Sequence, residues 1–181
     1  MKIAVFGGSF DPPHIGHEKI VDKIIQQIDI EKVIVVPTYL NPFKENFHFK
    51  PLRRFKFIRE LFKGNTKVKV SDFEIKQDRA VPAIETIKYL NKKYNTSKIY
   101  LVIGADNLKT IHLWNNFDEL QSLVKFIVIT RDGYEAKNDI IQFKKIDMNI
   151  NISSSSLRKN LDFNYIPKKI EQKVSQKWKK E

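Results

Sequence analysis

Two histidines, His14 and His17, sit in the stretch Gly7-Gly8-Ser9-Phe10-Asp11-Pro12-Pro13-His14-Ile15-Gly16-His17. Three apart on the first turn of a helix, they would face one crevice together. The stretch follows the apolar run Ile3-Ala4-Val5-Phe6. It reads as a buried strand, a glycine-rich turn and a helix from about Ile15 to Ile28 with Ile20, Ile24 and Ile28 as its apolar stripe. Gly7 and Gly8 let the backbone approach a ligand closely, and Pro12-Pro13 fix φ just ahead of the helix. At the carboxyl end of a parallel strand, free amides and the helix dipole favour phosphate. The stretch lacks the Lys-Ser pair of a P-loop and the third glycine of the dinucleotide fingerprint. A zinc-type pair is the other use of His-x-x-His. With no cysteine and only His48 and His112 elsewhere, it has no obvious further ligands.

Three more stretches could meet a phosphorylated ligand. Ile152-Ser153-Ser154-Ser155-Ser156-Leu157-Arg158 has the composition of a linker, but apolar residues flank the serines, and a serine there is a good helix N-cap. Hydroxyls and amides with an arginine one turn on suit a polyphosphate. Gly104-Ala105-Asp106 follows the apolar run Ile99–Ile103 and suits close approach to a ribose. The loop from Thr38 to Lys50 is aromatic-rich and basic, as a ligand-facing lid would be, and Arg53 lies close enough to it to reach a substrate phosphate.

The elements that must position these residues alternate. Val33–Val36 reads as a second buried strand, Val68–Val70 as a third, Ile99–Ile103 as a fourth and Lys125–Ile129 as a fifth, with Ile146-Asp147-Met148 as a short last one. Pro51 opens a helix with Leu52, Phe55, Ile58 and Phe62 on its stripe and Arg53, Arg54 and Arg59 off it. Pro82 seeds a helix with Ile84, Ile87 and Leu90 on one side, and Pro167 another with Ile170, Val174 and Trp178. The expectation is an α/β fold with a doubly wound, mostly parallel sheet. It would form one domain over residues 1–181, with a C-terminal helical segment from about 154 to 180.

Composition bounds the rest. The chain is 41% hydrophobic and contains no apolar run near the roughly 20 residues of a membrane span, so a cytoplasmic protein without membrane contact is expected. A formal net charge of +12 suits phosphate-bearing ligands. The densest lysines, Lys168, Lys169, Lys173, Lys177, Lys179 and Lys180, read as a solvated helix face, and no nucleic-acid motif accompanies them.

Gly8, Phe10, Pro12, His14, Gly16 and His17 match the pattern Gly-x-Phe-x-Pro-x-His-x-Gly-His, so the chain resembles the nucleotidyltransferase superfamily, whose Rossmann-like fold is then expected. Ile152–Arg158 resembles that superfamily's second signature, Ile-Ser-Ser-Thr-x-Ile-Arg, with Ser155 for threonine and Leu157 for isoleucine. Gly104, Asp106, Trp114, Pro42-Phe43-Lys44 and the turn Arg131-Asp132-Gly133-Tyr134 are similar to the branch that joins ATP to nicotinate mononucleotide, giving deamido-NAD and pyrophosphate. The resemblance implies His14, His17, Lys44 and Arg158 as catalytic residues. It implies an ATP site at Gly8, Ser9, Phe10, His17, Gly104, Asp106, Ile152, Ser154, Ser155 and Arg158, and a mononucleotide site at Lys44, Arg53, Ala83 and Trp114. Trp114 could equally be core packing. Mg²⁺ is expected on the ATP phosphates with no dedicated protein site, although Asp11 could bind one of its waters or be a turn residue.

One departure bears on specificity. The branch usually carries Ser-Tyr-Thr ahead of the helix where this chain has Val81-Pro82-Ala83, so hydroxyls expected near the pyridine carboxylate are missing. Nicotinamide mononucleotide is therefore the nearest alternative substrate, with a basic non-catalytic nucleotide- or RNA-binding module as the alternative of another class. A homo-oligomer stays open, because the aromatics of the Phe43 to Phe49 loop suit a subunit interface as well as a substrate.

Overall fold

Continuous apolar runs with no polar face are what bury a strand from both sides, and the computed structural model, which describes residues 1–41, 46–130, 139–148, 152–160 and 162–178, uses them so. The strands are β1 (Lys2–Gly8), β2 (Lys32–Pro37), β3 (Val68–Val70), β4 (Lys98–Gly104), β5 (Lys125–Thr130) and β6 (Phe143–Asp147). They form one sheet in the order β3-β2-β1-β4-β5-β6, and every pairing is parallel. The last strand ends at Asp147 and starts earlier than the Ile146–Met148 run suggested. Helices α1 (Ile15–Gln27), α2 (Pro51–Leu61), α3 (Phe73–Lys76), α4 (Ala83–Tyr94) and α5 (Phe117–Leu123) lie between the strands, and α6 (Ser154–Lys159) and α7 (Lys168–Trp178) follow the last one.

Successive residues of β1 serve opposite cores. Ala4 and Phe6 join Val33 and Val35 under Ile24 of α1, Ile58 of α2, Leu157 of α6 and Ile170 of α7. Ile3 and Val5 join Ile34 and Val36 under Ile84 and Ile87 of α4 and Leu120 of α5. The chain leaves β1 for β2 on one side and returns to β4 on the other. The order therefore reverses between β1 and β4, and a crevice opens at their carboxyl ends.

The stripe expected for α2 is corrected. Leu52 is exposed, and the buried face is Arg54, Phe57, Ile58 and Leu61, at positions i, i+3, i+4 and i+7. The helix is rotated toward Arg54 because that guanidinium, 1% exposed, donates to three main-chain carbonyls, which no apolar side chain could do. The C-terminal segment is broken into α6, a 3₁₀ turn at Phe163–Tyr165 and α7, so the helical stretch expected over about 154–180 is not continuous. No helix among the described residues is long and apolar enough to cross a membrane.

α3 was not legible in the sequence. It carries a second buried charge, Glu74, whose Oε1 accepts from Thr86 Oγ1 of α4 at 2.7 Å. Burial pushes the Glu74 carboxyl up from 4.5 to about 7, against the hydrogen bond from Thr86 and the charge of Arg54, which pull it down. The folded chain therefore keeps this proton between pH 4.5 and about 7 while the unfolded chain loses it, and stability falls as pH rises through that window. The full effect is bounded at about 3 kcal/mol. E74Q, neutral at every pH, is expected to gain in melting temperature over the wild type between pH 5 and pH 8 in thermal unfolding. A gap that stays constant with pH would contradict the assignment.

Candidate active site

The turn after β1 is held from three directions. Phe10 sits at φ 49° and is buried, its ring edge-on to Phe6 at 5.4 Å and to His17 at 4.8 Å. That ring leaves 3.1 Å for a Cβ at Gly8, which is why a glycine stands there. Asp11 turns its carboxylate inward, where its two oxygens accept from the amides of His48 and Phe49, both at 2.8 Å. Arg54 donates from Nε to the Phe49 carbonyl at 2.9 Å, from Nη1 to the Ser9 carbonyl at 2.5 Å and from Nη2 to the Tyr39 carbonyl at 2.7 Å. Burial lowers the Arg54 pKa from its ordinary value, while Asp11 and Glu74 raise it.

The third direction is the far end of the chain. Ser154 Oγ donates to the Pro12 carbonyl at 2.8 Å, and Arg158 donates to the Asp11 carbonyl at 2.6 Å and to Ser155 Oγ at 3.0 Å. Ser153 caps α6 reciprocally: its Oγ accepts from the Ser156 amide at 3.0 Å, and its own amide donates to Ser156 Oγ at 3.2 Å. The serine run is therefore an ordered helix start, and the two signature stretches are one hydrogen-bonded unit. Ile152 is buried, its side chain lying 3.2 Å from where a Gly16 Cβ would stand.

His14 is the N-cap residue of α1, and its ring stacks on that of His17 with centroids 3.7 Å apart. The His14 amide donates to His17 Nδ1 at 3.1 Å. An accepting Nδ1 places the proton of a neutral His17 on Nε2, which makes that nitrogen a donor. A Cβ on Gly16 would lie 2.9 Å from His14 Nδ1, so the stacked pair requires glycine between them.

Beside this unit lies a cavity of about 480 Å³, reached across Phe6 and Gly8 and walled by the ends of β1 and β4 and the start of α4. Gly104, Asp106, Ala83 and Trp114 line it, as does the whole departing segment Val81-Pro82-Ala83. At Gly104 a Cβ would meet Asp106 Oδ1 at 2.2 Å, so the glycine lets that carboxylate fold back over the strand end. Trp114 lines the cavity and packs on the core beneath. Glu74 and Thr38 also line the cavity, and sequence reasoning missed both. Glu74 Oε2, Thr38 Oγ1 and Trp114 Nε1 are buried without a hydrogen-bond partner among the described residues.

Some expected residues do not join the site. Arg53 lies on another cleft, between α2 and α7, with Lys173 and Lys177, whereas its neighbour Arg54 reaches the loops. Lys44 and the Arg131–Tyr134 turn lie outside the described residues. Both Asp11 carboxylate oxygens accept main-chain amides, so Asp11 braces the signature turn against the segment before α2. Among the described residues no group of three or more His, Asp or Glu could hold a metal ion.

The family model for cytidylyltransferase-like proteins matches residues 5–160. A protein of Sulfurimonas denitrificans named "Probable nicotinate-nucleotide adenylyltransferase" is 48% identical over 99% of this chain and 96% of its own length. One of the same name from Campylobacter jejuni is 44% identical over 99% and 98%. The structure of the Plasmodium falciparum nicotinic acid mononucleotide adenylyltransferase complexed with NaAD superposes with a TM-score of 0.79 at 23% identity, covering 97% of this chain and 95% of that one, and so shares the fold. A match spanning both hydrogen-bonded signatures, with relatives this similar from end to end, settles the family: the chain belongs to the cytidylyltransferase-like nucleotidyltransferases, in their nicotinate-nucleotide adenylyltransferase branch.

Proposed function

We propose that the chain transfers the adenylyl group of ATP to nicotinate mononucleotide, giving deamido-NAD and pyrophosphate. The observation that carries this reading is the union of the two signatures by Ser154 and Arg158 beside a cavity of about 480 Å³. A phosphate oxygen of the mononucleotide attacks the α-phosphorus of ATP, the bond to the β-phosphate oxygen breaks, and pyrophosphate leaves with that electron pair. No nucleophilic side chain takes part. Catalysis is in-line positioning and stabilisation of charge on the phosphate oxygens.

Each side chain then has a task. His17 Nε2–H donates to an α-phosphate oxygen, and His14, stacked against it, holds the imidazole in place. Arg158 and the Ser155 hydroxyl serve the β- and γ-phosphates, Ser154, its hydroxyl given to the Pro12 carbonyl, fixes the start of α6 beside them, and Asp106 over Gly104 accepts from the adenosine ribose. Ser9, Phe10 and Ile152 shape the ATP side, Ala83 and Trp114 the pyridine side, and Lys44 neutralises the attacking phosphate. Bound with the ATP phosphates, Mg²⁺ would supply charge neutralisation there.

Two measurements test the reading. Pyrophosphate release from ATP and Mg²⁺ should require the mononucleotide, and should fail to appear if the chain only binds nucleotides. H17A should lower kcat by about 10² or more with the fold intact, because an interaction made chiefly in the transition state is lost. Unchanged turnover in a folded variant would remove His17 from the mechanism.

A further inference from the structure

The pyridine end of the cavity has an unusual electrostatic composition for a site proposed to hold an anion. Among the described residues no lysine, arginine or histidine lines the cavity, and its two carboxyl groups are Asp106, exposed at the end of β4, and the buried Glu74. The first turn of α4, a helix of 12 residues whose N1 residue, Ala83, lines the cavity, offers backbone amides and a dipole that attract a pyridine carboxylate. Glu74 stands against that same turn, bonded to Thr86, and is 5% exposed with Oε2 unpartnered. A buried carboxyl next to a carboxylate ligand cannot share the ionised state without strong repulsion, whereas a protonated one can lie beside it or donate to it.

We infer that Glu74 sets the choice between acid and amide mononucleotides: protonated, it admits the pyridine carboxylate to the α4 N-terminus, and ionised, it repels the carboxylate and accepts from a carboxamide instead. This rests on the function proposed above and assigns a specificity-determining role in the same site. Glu74 supplies the polar group that the missing hydroxyls of Val81-Pro82-Ala83 leave wanting.

Each element packed against Glu74 brings charges of its own. Arg54 of α2 favours its ionised form and is committed to three carbonyls. Glu85 of α4 opposes it and is itself paired with Arg79 at 2.7 Å. On α3 itself, Asp72 is paired with Lys76 at 2.8 Å. Tyr89 of α4 stacks on Phe73 and carries Lys93 over its ring. β2 adds no titratable side chain except Lys32 at its far end. With these groups in place the carboxyl titrates at about 7, inside the range where enzymes work.

The test is the ratio of kcat/KM for nicotinate mononucleotide over nicotinamide mononucleotide, measured by pyrophosphate release from pH 6 to 8.5 in the wild type and in E74Q. Titration of the shared phosphate and of ATP cancels in the ratio, which leaves the group that senses the pyridine substituent. The wild-type ratio should fall about tenfold or more across this range, and the E74Q ratio should stay flat, with acid preference retained at pH 8.5. A wild-type ratio constant with pH, or an equal decline in E74Q, would overturn the role and reduce Glu74 to a brace between α3 and α4. Release with neither mononucleotide would overturn the proposed function and this inference together, while release with a flat ratio would overturn the inference alone.

Discussion

A single buried guanidinium holds the site together. Arg54 gathers the carbonyls of Ser9, Tyr39 and Phe49, which belong to the signature turn, the segment after β2 and the approach to α2. The Phe49 peptide is gripped on both sides, its carbonyl by Arg54 and its amide by Asp11, while its ring packs on Phe57 and Trp178. Desolvating a guanidinium costs several kcal/mol, and three charge-assisted bonds at about 1.5–3 kcal/mol each offset it. The planar fork of arginine is what makes three donations in fixed directions possible; a lysine would satisfy fewer of these carbonyls. α1 then begins where His14 and His17 can stack, and α6 comes back across the molecule to fasten Pro12 and Asp11.

The electrostatics divide along the same line. The chain carries +12 in total, yet no lysine, arginine or histidine stands in the described wall of the cavity, and among the described residues Arg54 and Arg158 donate to the signature turn. In the proposed reaction, phosphate meets arginine, amides and a histidine N–H, and the ring meets β-branched residues, proline and tryptophan. A nucleotidyl transfer needs this separation, since charge must be stabilised at the phosphates and the acceptor ring must be selected by shape and one polar edge. The lysines of α7 stand apart from both regions, and one of them, Lys173, is paired with Glu60.

What the sequence made legible was local. Gly8, Phe10, Gly16 and the two histidines lie within one turn and a helix start, so their types and spacing record their geometry directly. The parallel sheet was legible because both faces of each strand are buried, leaving unbroken apolar runs in β1, β2 and β5. What stayed hidden depended on contacts across the chain. Arg53 and Arg54 are adjacent and alike, and only the rotation of α2 decides that Arg54 turns inward. Glu74 lies in the four-residue helix α3, too short for a periodic signal, and its importance comes from burial against α4. Asp11 reads as a metal or turn residue until the amides of His48 and Phe49, 37 and 38 residues away, are seen on it.

The most direct measurement is a crystal structure with deamido-NAD bound. The account expects the pyridine ring in the cavity beside Trp114 and Ala83, the adenosine ribose at Asp106, and a pyrophosphate oxygen about 3 Å from His17 Nε2. A product seated in the basic cleft between α2 and α7, or phosphates out of reach of both His17 and Arg158, would contradict it.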